Sequence, residues 1–127
     1  MTLVDPSSPF GMRVARRLDV DALAWLVTVG RDGTPQPVPV WFLWEDGRIV
    51  TYGDSRAQRN RNLAANPKVS FHFNDDDGSD IVFIEGEAVI DGTMPPLPEH
   101  TAYVAKYARR IAEGGQASGA SAASIAT

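Results

Sequence analysis

In the stretch "TPQPVPVWFLWE", Pro35, Pro37 and Pro39 alternate with Gln36, Val38 and Val40. Proline has no backbone N–H, and alternate amides of an extended strand point to the same side. All three missing donors therefore fall along one edge. That edge cannot pair fully in a ladder, so the strand lies at the margin of its sheet or faces something other than a strand. Turn signals flank it: Asp32-Gly33 before and Asp46-Gly47 after, each a strong hairpin pair. The neighbouring segments, "ALAWLVTVG" and "RIVTYG", are β-branched and aromatic. A proline-edged antiparallel meander is the nucleus of whatever this chain builds.

The remaining elements follow from pattern. Ser8-Pro9 opens a helix to about Leu18, since serine caps and proline suits the first helical position. Phe10, Val14 and Leu18 form its apolar stripe. "DSRAQRNRNLAANP" reads as a short helix capped by Asp54 or Ser55 and ending before Pro67. "KVSFHFN" alternates, with Val69, Phe71 and Phe73 on one face and His72 on the other. "IVFIEGEAVI" is a further strand, with Gly86 as a bulge or close-packing point. "HTAYVAKYARRIAE" is the last helix. The expected order is helix, three strands, short helix, two strands, helix. That is a mainly β chain with short α-helices, suited to a small antiparallel barrel.

At 127 residues the chain holds one domain, placed at 1–113. The final stretch 114–127, "GGQASGASAASIAT", carries one large apolar residue and no charge, and reads as a disordered tail. A net charge of −4 argues against nucleic-acid or anionic-membrane partners. No apolar run is long enough for a membrane helix, no secretory leader is visible, and there is no cysteine, so a cytoplasmic setting is expected.

Against this acidic background, Arg56, Arg59 and Arg61 gather directly after a Gly53-Asp54-Ser55 turn. The first turn of a helix offers unpaired amides and a positive dipole end. Guanidinium groups beside it would make a phosphate seat. A polar surface helix explains the same residues, and Arg59 and Arg61 are two apart and do not share a helical face.

The run "LVTVGRDGTPQPVPVWFLWEDGRIVTYGDSRAQRNRNLAANPKVSFHF" resembles the pyridoxamine-phosphate-oxidase-like split-barrel superfamily, and within it the branch of deazaflavin (coenzyme F420)-dependent oxidoreductases. "DIVFIEGEAVID" and "HTAYVAKYARRI" also match that branch. The resemblance implies an FMN-binding-like split β-barrel working as a homodimer. It implies hydride transfer between reduced F420 and a small-molecule acceptor, with the cofactor carrying the chemistry. The position eight before the proline of "NP", here Arg59, contacts the cofactor phosphate in the superfamily. By the same resemblance Arg61, Asn62, Gly53, Asp54 and Ser55 complete the phosphate pocket, and Val38, Pro39, Val40 and Trp41 line the ring. No catalytic acid or base is assigned.

The chain departs from the FMN-dependent members in having no cation on the strand after the first hairpin, which favours F420 over FMN. It also shows no strand-like pattern after the last helix, so the barrel is expected to lack its usual final strand. The alternatives are an FMN-binding oxidase or reductase, and a non-catalytic flavin-, haem- or tetrapyrrole-binding protein. Other candidates reduce to structural roles. His72 faces outward and His100 is read as solvated at a helix start; with no cysteine they make no zinc site. "NDDDGSD" places Phe73 where a calcium loop needs an oxygen ligand, so it reads as a turn. Glu85 and Glu87 share one strand face, as an acid/base pair or a barrel exterior would.

Overall fold

The computed structural model describes residues 5, 7–75, 77–113 and 120–126. Its elements are α1 (Pro9–Val20), β1 (Ala24–Val29), β2 (Pro35–Val40), β3 (Leu43–Glu45), β4 (Arg48–Asp54), α2 (Gln58–Ala65), β5 (Lys68–Phe73), β6 (Phe83–Ile90), α3 (Thr101–Ala112) and β7 (Ala120–Ala126). A single 3₁₀ turn, Leu97–Glu99, leads into α3. The seven strands form one antiparallel sheet in the order β2-β1-β5-β6-β7-β4-β3. This is the curled half of a split barrel.

The proline strand is an edge. β2 pairs with β1 alone, and the far margin of the sheet is β3. One expected long strand therefore breaks in two at Trp41-Phe42, and its halves bound the sheet on opposite sides. The flanking hairpins turn at Gly33 (φ 87°) and at Asp46-Gly47 (φ 51° and 74°), left-handed positions that favour these residue types.

The interior divides into two clusters. Leu26, Phe42, Ile49, Phe71, Phe73 and Ile125 lie in the larger one, between the sheet and α1. Phe42 meets Phe71 edge-on at 5.1 Å. Tyr52, Tyr103, Tyr107, Val50 and Leu97 form the second, under α3. At α1, Ser8 Oγ accepts from the Gly11 amide at 2.9 Å, and Val14 and Leu18 are buried. The expected stripe fails at Phe10, which is 54% exposed. Gly11 takes the buried position instead, close against the Asp5 carbonyl. Gly86 is no bulge: the β5–β6 register runs unbroken from Lys68↔Glu87 to His72↔Phe83.

The sharpest correction is at the C-terminus. Residues 120–126, expected to be disordered, form β7 in the middle of the sheet, paired with both β4 and β6. The missing last strand is present. Its composition misleads because the ladder, not large side chains, holds it. Ala122 packs in the tyrosine cluster, while Ala123 and Ile125 pack in the main core. Ser124 donates to Asp91 Oδ2 at 3.1 Å, and the Asp91 amide donates to the Ala122 carbonyl at 2.9 Å. Residues 114–119 and 127 of the expected tail lie outside the described residues.

Candidate functional site

The site grows from the way β4 ends. At its last residues the chain turns sharply: the Ala57 amide donates to the Asp54 carbonyl at 3.0 Å, and the Arg56 amide to Asp54 Oδ1 at 2.9 Å. The Arg56 amide, with the Arg56 guanidinium beside it, holds the Asp54 carboxyl below the usual carboxylate range. Asp54 thus organises the turn but does not cap α2, and neither does Ser55. The N-cap is Ala57, and no side chain closes the helix start.

Beside this uncapped start lies a cavity of about 650 Å³. One wall is β2 and its continuation: Val38, Pro39, Val40 and Trp41. The opposite wall is Gly53, Asp54 and Arg59. Thr28 and Gln36 add polar groups, and Leu23 and an edge of Tyr52 add apolar surface. Trp41 is braced from behind by Tyr107, stacked at 4.6 Å with the planes 2° apart.

Arg59 is the cation of this cavity. Its guanidinium lies across the Cα of Gly53, where any Cβ would overlap it. Its Nε is buried with no hydrogen-bond partner, and among the described residues no carboxylate pairs with it. Burial pushes the guanidinium below arginine's ordinary value, partly opposed by Tyr103. A half-buried cation with one buried nitrogen left unmatched is incomplete until an anion meets it. The residues present therefore fit one anionic group, seated against Arg59 and the open start of α2.

Of the ten expected site residues, Val38, Pro39, Val40, Trp41, Gly53, Asp54 and Arg59 line the cavity; Ser55, Arg61 and Asn62 do not. Arg61 is turned away, donating to Gln58 Oε1 at 2.7 and 3.1 Å and to the Arg56 carbonyl at 3.0 Å. Two residues on along a helix, it cannot share Arg59's face. Ser55 is exposed, and its carbonyl accepts from Asn60 at 3.2 Å. Asn62 is buried behind the site. Its Nδ2 donates to Thr28 Oγ1 at 2.9 Å and Gln36 Oε1 at 2.8 Å, while Gln58 donates to its Oδ1 at 3.0 Å. It fastens α2 to β1 and β2 and holds two lining side chains.

Sequence reasoning missed Leu23, Thr28, Gln36, Tyr52, Ala57 and Gln58. Gln36 carries a signal, being the polar residue between two prolines. Reading His100 as solvated was an error. It is 5% exposed, with Nδ1 2.9 Å from the Tyr52 hydroxyl and Nε2 3.0 Å from the Glu45 carboxylate. The helix-opening position hid this, because the partners lie on distant strands. On either side of the acidic stretch, Arg17 reaches the Asn74 carbonyl at 2.8 Å and Asp80 at 3.0 Å. Among the described residues no group of carboxylates and histidines could hold a metal ion. Glu85 and Glu87 stand on the exposed outer face beside Lys68.

A split barrel with a cavity at the sheet's open edge defines a recognisable class. The family profile of pyridoxamine 5'-phosphate oxidase matches residues 14–125, and the chain belongs to that family. Comparison with curated proteins gives no match. Among solved structures, HutZ, the haem storage protein of Vibrio cholerae, is similar at 18% identity and TM-score 0.66, over 99% of this chain and 90% of that one. An F420 reductase is similar at 23% identity and TM-score 0.63, over 87% and 90%. An FAD-binding protein from Mesorhizobium loti is similar at 15% identity and TM-score 0.65, over 90% and 86%. At such identities these likenesses speak for the fold. No described helix is long and apolar enough to cross a membrane.

Proposed function

We propose that this protein is an F420-dependent oxidoreductase, moving a hydride between the deazaflavin and a small electrophilic acceptor. The observation that carries the reading is the half-buried Arg59 guanidinium laid over Gly53 in the cavity lining, its Nε buried with no hydrogen-bond partner. Arg59 and the start of α2 would hold the cofactor's phosphate; Val38, Pro39, Val40 and Trp41 would lie along its ring. When bound, the cofactor supplies the hydride chemistry. The chain's own part is to bind the anion, orient the ring against the Trp41–Tyr107 stack, and exclude water with apolar walls. The family membership and the likeness to an F420 reductase support this reading.

A second reading, an FMN-binding oxidase or reductase, is favoured by one finding. With Arg61 turned away, the cavity offers a single cation, matched to one phosphate. The haem storage neighbour supports a third, a non-catalytic carrier. Titration with F420, FMN and haem separates them. F420 is expected to bind most tightly, and Arg59→Ala to weaken it by at least about 1.5 kcal/mol, the scale of a charge-assisted contact. Equal affinity in wild type and Arg59→Ala would remove the anion seat.

The working unit in this proposal is a homodimer. Its support is the outer face of β1 and β2, where Trp25, Val27 and Val29 stand beside exposed Pro39, Pro37 and Pro35. Sedimentation giving a monomer at micromolar concentration would overturn it.

A further inference from the structure

The proline strand has a chemical consequence at the cavity. In an antiparallel ladder, residues of a hydrogen-bonded pair exchange both N–H···O bonds, while the intervening residues turn both groups away. β2 pairs Gln36, Val38 and Val40 with Thr28, Leu26 and Ala24, and Pro35, Pro37 and Pro39 with Val29, Val27 and Trp25. Prolines cannot donate, so the hydrogen-bonded pairs are those of Gln36, Val38 and Val40. The carbonyls of Pro35, Pro37 and Pro39 then all point to the free edge. An ordinary edge strand alternates donors and acceptors; this one presents three acceptors and no donor. Among the described residues, no backbone or side-chain donor meets these carbonyls. Pro39 stands in the cavity wall, and Pro35 lies outside it.

We infer that Pro39 is a specificity-determining residue: the cavity selects planar heterocycles that turn N–H or C–H, not a ring-nitrogen lone pair, toward β2. The inference rests on the reading that the cavity holds a planar redox ring. An acceptor-only edge cannot satisfy an acceptor brought against it, and a desolvated acceptor left unmatched is unfavourable. An oxidised flavin carries such an acceptor at N5, where a 5-deazaflavin has C–H. Pro39 thereby discriminates between two rings of nearly identical shape by withholding a donor, a form of specificity set by repulsion.

The direct test needs no variant. FMN and 5-deaza-FMN share one phosphate and differ at one ring position. Isothermal titration of the wild-type protein is expected to show the deaza compound binding about tenfold more tightly, the scale of one unmatched acceptor. Pro39→Ala restores an N–H to the edge and should bring the ratio to within about twofold, by tightening FMN. Pro35→Ala should leave the ratio at its wild-type value. Equal wild-type affinities would overturn the inference, as would a ratio unmoved in a folded Pro39→Ala protein. Arg59→Ala separates the two ideas: it should weaken both compounds equally and preserve their ratio. If Arg59→Ala changes nothing while the ratio holds, the anion seat falls and the edge stands. If neither compound binds the wild type, both fall.

Discussion

Two polar regions flank β4, and they are built on opposite terms. Under α3, the buried polar groups find partners. The Tyr107 hydroxyl accepts from the Phe42 amide and donates toward the Ala22 carbonyl, both at 2.8 Å; His100 bridges Tyr52 and Glu45; Lys106 donates to the Phe42 carbonyl at 2.9 Å. At the start of α2, Asn62 is equally well matched, yet Arg59 beside it keeps a buried nitrogen with no partner. Satisfied buried groups rigidify a fold, whereas an unsatisfied one costs stability and is retained for another reason. The first region holds the barrel's edges together, and the second is where a ligand has something to complete.

The largest effect that this contrast predicts is at Tyr107. Tyr107→Ala removes a fully buried ring stacked on Trp41, and should destabilise the protein by about 3–5 kcal/mol in urea unfolding. Tyr107→Phe keeps the ring but orphans the Phe42 amide, and should cost about 1–3 kcal/mol. A cost near zero for Tyr107→Phe would show that water replaces the hydroxyl and that the α3 region is less closed than its bonds suggest.

Next comes the pair on α2. Asn62→Leu strands Gln36 and Thr28 and should lose about 1–3 kcal/mol of stability. Arg59→Ala, three residues away, should leave unfolding stability within about 0.5 kcal/mol of wild type or raise it, because it removes an unpaired charge. If both variants destabilise alike, Arg59 is structural and the contrast between the regions dissolves. Gly53→Ala sharpens the point. Its Cβ displaces the guanidinium, so affinity for FMN should fall about tenfold, read by flavin fluorescence, while the unfolding midpoint barely moves.

These expectations also show what was legible beforehand. The edge strand was readable because proline chemistry is local: three absent donors on one side forbid a full ladder there, whatever else that side faces. Arg59 came from resemblance, since spacing alone could not choose between it and Arg61; the fold chose by helical rotation. Asn62 was assigned to the ligand, but its partners Thr28 and Gln36 lie on strands far away in sequence. β7 was illegible for a different reason. "ASAASIA" has little to bury, and its place is set by the vacancy between β4 and β6, a property of the whole sheet. What the sequence hides is chiefly long-range pairing, in backbone ladders and in buried polar contacts alike.

The smallest effect tests whether the α3 region is as satisfied as it looks. Burial pulls the Lys106 amine down to about 8, against the pull of Asp19 and Asp21. Its Nζ also sits 3.8 Å from the centre of the Phe42 ring and donates to the Phe42 carbonyl, contacts that favour the ammonium. Between about pH 8 and the ordinary lysine value of 10.5, the unfolded chain holds a proton that the folded chain has lost. Stability should therefore rise modestly as pH climbs through that window, and Lys106→Met should abolish the rise. Carbon-13 NMR of labelled lysine should place the Lys106 midpoint near 8. A midpoint above about 10 would mean that ring and carbonyl outweigh desolvation, leaving Arg59 as the one poorly compensated cation of the two.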